Sequence, residues 1–197
     1  MADKELVLSK VKLYIHHPVP NQLFADIFPI FRDPVATEAI ISHLTSHIKS
    51  THDLSKISSI VCLEARGFFF APILASRLSL PCVPVRKPGK LPGEVTTTNY
   101  QKDYGPDSFE LKTDAFEGIE TEGKKVILVD DLLGMGGSIM AAKELVENLG
   151  MEVGEAVFIF DVDVPIYKEA VERNLKGLDM YTMVTLTATN MGVPIEC

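Results

Sequence analysis

Apolar positions along this chain alternate between two spacings. Residues 60–63, 83–85, 126–129 and 157–160 form short apolar runs, the length of strands buried on both faces. Between them the spacing changes. Ile40, Leu44 and Ile48 recur at i, i+4 and i+8 after Asp33-Pro34, which reads as an N-cap followed by proline at the first helical position. Ile139, Ala142, Leu145, Val146 and Leu149 make a second helical stripe, closed by Gly150. Residues 67–78 and 165–175 read as further helices, and Met180–Leu186 as a last strand.

Alternating strands and helices predict an α/β fold in a single domain, a mostly parallel central sheet flanked by helices. In such sheets ligands bind at the carboxyl ends of the strands. Residues 86–110 break the pattern with Pro88, Gly89, Pro92, Gly93, Gly105 and Pro106. A stretch this long without periodicity predicts a lid or a disordered segment.

Composition then narrows the function. The chain has 197 residues, enough for one domain with a real core. Its net charge of -8 disfavours duplex nucleic acid or an anionic membrane as the main partner. A small anionic substrate remains compatible, because a few cations at one site outweigh the global charge. Cys62, Cys82 and Cys197 are odd in number and lack metal-like spacing, which predicts reduced thiols in a cytosolic protein. The charged N-terminus does not read as a signal peptide, and no apolar run approaches the length of a membrane span.

The chemistry concentrates where the strand 126–129 ends in Asp130 and Asp131 and continues through Leu132, Leu133, Gly134, Met135, Gly136, Gly137 and Ser138 into the helical stripe. Glycines let successive backbone N–H groups turn into a concave nest, and the helix start adds its positive dipole end. Ser138 adds a hydroxyl donor, so a phosphate can be held without lysine. The paired carboxylates can accept hydrogen bonds from vicinal ribose hydroxyls and favour a transition state with positive character. A Walker loop would need lysine before Ser138, and a dinucleotide fingerprint would need glycine at position 139, which is Ile139.

Val129-Asp130-Asp131 followed by Gly136-Gly137-Ser138 resembles the phosphoribosyl diphosphate signature of the type I phosphoribosyltransferases. Four segments in order resemble the adenine-specific branch of that family: Phe24 to Ile27, Leu63 to Phe68, Arg86 to Gly93, and the Asp130 loop. The resemblance implies a purine-salvage transferase that converts adenine and 5-phosphoribosyl 1-diphosphate to AMP and pyrophosphate. It implies Mg²⁺ bound mainly through the diphosphate and ribose oxygens, no other metal, and a homodimer, in the cytoplasm that the thiols and the N-terminus already suggest. Residues 1–33 would form a small N-terminal hood over the base, and residues 86–110 a flexible catalytic loop.

The same resemblance assigns roles. Arg66, Arg86 and Lys90 would meet the diphosphate, as forked guanidinium pairs or mobile point charges, and Lys87 is a further substrate-binding cation on the loops around the phosphate site. Asp103 and Tyr104 match the family's acid/base carboxylate and its neighbouring tyrosine. Asp130 and Asp131 would act on the ribose, and Gly134, Met135, Gly136, Gly137 and Ser138 on the 5-phosphate. The base would lie by Leu23, Phe24 and Ala25, with Val162 opposite. The Leu23 carbonyl would accept from the exocyclic amine of adenine, and the Ala25 N–H would donate to N1. Hypoxanthine and guanine present the opposite pattern, and each buried mismatch costs about 1–3 kcal/mol. The resemblance also implies a cis peptide between Glu64 and Ala65.

Three positions depart from the pattern. The family usually has threonine at Met135, and commonly glutamate at Asp103 and arginine at Ala25. Losing a hydrogen bond to a charged phosphate costs about 1.5–3 kcal/mol, which keeps open a divergent relative that binds nucleotide with weak turnover, or one that uses another purine. An NAD-dependent oxidoreductase is the more distant alternative. His43 and His47, at i and i+4, read as a solvated polar face. Phe68, Phe69 and Phe70 read as core, and Asp161 with Asp163 as a metal pair or as loop carboxylates.

Overall fold

A computed structural model of the chain describes residues 2–15, 17, 23–102 and 105–191. The elements run α1 (Ala2–Lys10), β1 (Lys12–Ile15), β2 (Leu23–Asp26), α2 (Phe28–Phe31), α3 (Pro34–Thr51), β3 (Ile57–Leu63), α4 (Ala71–Leu78) and β4 (Cys82–Val85). There follow β5 (Val95–Lys102), β6 (Gly105–Lys112), β7 (Lys125–Leu133), α5 (Gly137–Asn148), β8 (Glu152–Val162), α6 (Pro165–Asn174), β9 (Met180–Leu186) and α7 (Ala188–Met191). A five-stranded sheet in the order β4-β3-β7-β8-β9 forms the centre, and all its pairings are parallel.

Alternate side chains of each strand feed two cores. Ile60, Ile127, Val129, Val157 and Ile159 meet Ile40, Leu44 and Leu74 of α3 and α4 on one face. Val61, Leu63, Leu128 and Phe158 meet Ile139, Ala142 and Leu145 of α5 on the other. Each fully buried branched side chain contributes about 1.5–3 kcal/mol, so burial on both faces holds the sheet between its helices. Asp33 caps α3 as its sequence implies, accepting from Val35 N at 2.9 Å and Ala36 N at 3.3 Å.

Several expectations are corrected. Segment 86–110 is irregular only as far as Glu94: beyond it β5 and β6 pair antiparallel, with Thr98 opposite Phe109 and Tyr100 opposite Asp107. Thr98, Tyr100, Phe109 and Leu111 are buried, a period-two pattern masked by the surrounding charges, prolines and glycines. Residues 67–78 do not form one helix. A short 3-10 turn, Arg66–Phe69, precedes α4, in whose first turn Pro72 sits where no N–H is needed. Of the three phenylalanines, Phe70 is fully buried but Phe69 is 48% exposed. His43 and His47 do not form a solvated face. His43 Nε2 lies 2.6 Å from Tyr181 Oη, and His47 Nε2 lies 2.9 Å from Glu155 Oε1. The charged N-terminus folds as α1, which the apolar pattern does not announce.

Candidate active site

The carboxyl ends of β3 and β7 open onto a cleft of about 460 Å³. Its floor is the turn from β7 into α5: Asp130, Asp131, Leu132, Leu133, Gly134, Met135, Gly136, Gly137 and Ser138 all line it. Gly136 is the N-cap of α5, at φ 83°, and no side chain caps the helix. The first N–H groups of α5 are therefore left for an anion. A side chain at Gly136 would be strained by its φ and would place a Cβ 2.8 Å from Leu175 Cδ1. Asn174 Nδ2 donates to the Met135 carbonyl at 3.1 Å. The end of α6 thus clamps the loop from outside, by one hydrogen bond and one apolar contact.

The two carboxylates differ. Asp131 is 3% exposed, and its Oδ2 lies 3.0 Å from Arg66 Nε. That contact is an ion pair without an aligned N–H, so Oδ2 accepts no hydrogen bond among the described residues. Asp130 Oδ1 accepts from the Asp131 N–H at 2.9 Å. Burial, then the neighbouring Asp131 charge, pushes the Asp130 carboxyl well above its ordinary value. Burial also raises Asp131, against the opposing pull of Arg66. Asp131 is the member of the pair with a cation beside it, and a buried oxygen left without a donor is a ready acceptor for a substrate hydroxyl.

Cations approach from the other side. Arg66 lines the cleft, donates from Nη1 to the Ala25 carbonyl at 3.3 Å, and its guanidinium lies 5.3 Å from the centre of the Phe24 ring. Arg86 grips Glu64 through Nε at 3.0 Å and Nη2 at 3.3 Å. Burial raises the Glu64 carboxyl, but the Lys87 N–H and the Arg86 guanidinium outweigh it and hold the group below its ordinary value. Lys87 reaches the cleft, hydrogen-bonded to Tyr100 Oη at 3.0 Å, paired with Asp107, and 4.7 Å from the centre of the Phe109 ring.

The cleft brings together ten of the expected residues: Phe24, Arg66, Lys87, Asp130, Asp131 and the loop from Gly134 to Ser138. Arg86 and Lys90 stand outside its lining, Arg86 held by Glu64 and Lys90 exposed. Leu23 and Ala25 lie on β2, with Ala25 buried and paired in register with Leu13, and Val162 ends β8. Asp103 and Tyr104 fall outside the described residues, as does Cys197. The Glu64–Ala65 peptide is cis.

Residues 33–185 match the phosphoribosyl transferase domain family. The adenine phosphoribosyltransferase of Cricetulus griseus is 43% identical over 164 residues, covering 82% of this chain and 88% of that protein. The chain belongs to the adenine phosphoribosyltransferase family. Two solved members superpose on it. That of Saccharomyces cerevisiae, bound to an imino-altritol bisphosphate and adenine, gives a TM-score of 0.81 at 36% identity, over 93% of this chain and 99% of that one. That of Thermoanaerobacter pseudethanolicus gives 0.82 at 34% identity with the same coverage.

As a member of this family the chain carries lining residues that the sequence motifs did not single out. Glu64 stood in a quoted motif beside Arg66, and its nearness to a basic segment was the available signal. Phe28 and Phe109 also line the cleft. Phe109 gave a signal only through the missed alternation of β6, and Phe28 gave none. Asp161 and Asp163 do not form a metal pair. Asp163 pairs with Lys168, Asp161 Oδ1 is buried without a partner, and no group of three or more His, Cys, Asp or Glu is placed to hold a metal ion among the described residues.

Proposed function

We propose that this protein transfers the 5-phosphoribosyl group from phosphoribosyl diphosphate to adenine, giving AMP and pyrophosphate. The observation that carries the reading is the buried Asp130–Asp131 pair opening onto an uncapped helix start, with Arg66 beside it. The 5-phosphate rests on N–H groups of Gly134 to Ser138 and on the Ser138 hydroxyl. The ribose hydroxyls donate to Asp130 and Asp131, whose negative charge stabilises the oxocarbenium character that develops at C1 as pyrophosphate leaves. Arg66 and Lys87 meet the diphosphate from the cleft, and Arg86 and Lys90 from its rim. Phe24 stacks on adenine, and the Leu23 carbonyl and Ala25 N–H read its edge. Asp103 handles the base proton, with Tyr104 beside it in the catalytic loop that excludes water.

The donor set fits Mg²⁺ brought in by the substrate. Asp131 keeps a buried oxygen without a hydrogen-bond partner among the described residues. Asp130 and Asp131 would hold the ion together with the substrate, and when bound it would neutralise charge on the leaving group. We take the chain as one phosphoribosyltransferase domain, with residues 1–33 as the hood and 86–110 as the catalytic loop. We also take it to be a cytoplasmic homodimer. Phe28 and Phe69, both exposed and in edge-to-face contact, support an intersubunit face. A second reading, nucleotide binding without turnover, rests on Met135 in place of a hydroxyl donor. One assay decides: each purine base with phosphoribosyl diphosphate and Mg²⁺. Adenine should be strongly preferred. Comparable turnover of hypoxanthine or guanine would remove the adenine assignment, and tight AMP binding with no product from any base would favour the second reading.

A further inference from the structure

Away from the cleft, two thiols face each other across the edge of the central sheet. Cys62 on β3 and Cys82 on β4 have sulfurs 3.6 Å apart, and both are free. The register pairs Ile60 with Cys82 and Cys62 with Pro84, which makes the two cysteines diagonal neighbours on one face. Cys62 is 2% exposed, whereas Cys82 is half-buried on the outermost strand of the sheet. The hydrogen bond to Cys82 and then burial push the Cys62 thiol up, and the same hydrogen bond holds Cys82 below its ordinary value. Cys82 is therefore the accessible nucleophile and Cys62 its buried neighbour.

Two kinds of link could join such a pair. A disulfide needs sulfurs about 2.05 Å apart and Cα atoms within about 7 Å. In a parallel pair, strands about 4.8 Å apart and a two-residue offset of about 6.6 Å put diagonal Cα atoms roughly 8 Å apart, so oxidation would have to move backbone in a strand that is hydrogen-bonded to its neighbour. A single bridging atom asks for less. Two bonds of about 2.3 Å, meeting at the roughly 95–105° of a pyramidal centre, hold their sulfurs about 3.4–3.7 Å apart. The observed 3.6 Å falls inside that interval. Zinc itself requires four ligands, and no group of three or more His, Cys, Asp or Glu is placed to hold a metal ion among the described residues. Mercury(II) takes two thiolates in line and would need the sulfurs much farther apart; the soft centre satisfied by two thiols at a bent angle is trivalent arsenic carrying one carbon substituent.

We propose that Cys62 and Cys82 form a bidentate site for monosubstituted trivalent arsenicals. The Cys82 sulfur attacks the arsenic of R–As(OH)₂ and displaces one hydroxyl. The Cys62 sulfur displaces the other. Two As–O bonds give way to two As–S bonds, the two thiol protons leave with the hydroxyls as two waters, and no atom changes oxidation state. The probe is phenylarsine oxide, which hydrates to this form, added to the intact protein. One arsenic should be retained per chain with loss of two titratable thiols out of three. A dithiol such as dithiothreitol should strip it, and the same concentration of 2-mercaptoethanol should not. Retention should fall at least about tenfold in Cys82→Ser, because the second sulfur acts at high effective concentration, and should persist in Cys197→Ser. Cys62→Ser should match Cys82→Ser. Should that buried substitution fail to fold, the half-buried Cys82→Ser still decides. No uptake by the wild type, retention unchanged in Cys82→Ser, or retention lost in Cys197→Ser would each overturn the proposal.

Discussion

Two buried acidic sites lie on neighbouring strands of the same sheet, and they are built in opposite ways. Glu155, early in β8, is 4% exposed. It accepts from His47 Nε2 at 2.9 and 3.1 Å and lies 2.9 Å from His52 Nε2. His47 in turn stacks on Tyr181 at a 3.5 Å ring separation. Asp130 and Asp131, near the end of β7, crowd two carboxylates together with Arg66 beside them, and leave Asp131 Oδ2 without a hydrogen bond. The first site joins α3 to the sheet, with both carboxylate oxygens engaged. The second has its acids pushed up and its acceptor open, an arrangement that favours ligand binding over stability. The difference separates structural from functional burial without reference to any relative.

The largest effect should come from the unsatisfied site. Asp130→Asn combined with Asp131→Asn should remove nearly all turnover and leave the fold intact, as read by AMP formation and circular dichroism. An unchanged rate would show that the pair takes no part in the reaction. At the satisfied site the balance reverses. Glu155→Ala leaves two imidazoles without their acceptor and should lower stability by about 1–3 kcal/mol, seen as a reduced denaturation midpoint, with the Michaelis constants for both substrates unmoved. A kinetic defect without a stability defect would erase the distinction.

The single Asp130→Asn substitution sharpens the comparison through pH. The folded state raises this carboxyl above its ordinary 3.8. The folded protein therefore binds the proton more tightly than the unfolded chain does. Wild-type stability falls as pH climbs past 3.8 and levels off only once the folded carboxyl ionises. Asparagine has no such decline, so the variant's melting temperature should gain on the wild type as pH rises above about 4. A gap that is constant, or that closes with rising pH, would contradict the raised value.

Smaller effects concern the loop beyond the acids. Met135→Thr adds a hydroxyl donor and should lower the Michaelis constant for phosphoribosyl diphosphate by up to about tenfold. No change in either the constant or phosphate-dependent thermal stabilisation would mean that position 135 does not meet the phosphate. Asn174→Ala removes the hydrogen bond to the Met135 carbonyl and should raise the same constant by about threefold to tenfold, leaving the constant for adenine alone. Equal changes in both constants would mark Asn174 as merely structural.

The sequence by itself determined what local chemistry can encode. Apolar runs, the Asp33 cap, the glycine turn at Gly136 and the acids following β7 depend on residues near one another in the chain. Strand, cap and phosphate loop were therefore legible before any fold was known. The β5–β6 hairpin was not, because four inward residues alternate among prolines, glycines and charges that read locally as a loop. Only the tertiary structure decided the pairings between distant segments. Arg86 turns to Glu64, Lys87 to Tyr100 and Asp107, and Asn174 to the phosphate loop. His47 and His52 close on Glu155 more than a hundred residues away. No periodicity records such partners, because an ion pair constrains where two side chains end and says nothing about the chain between them.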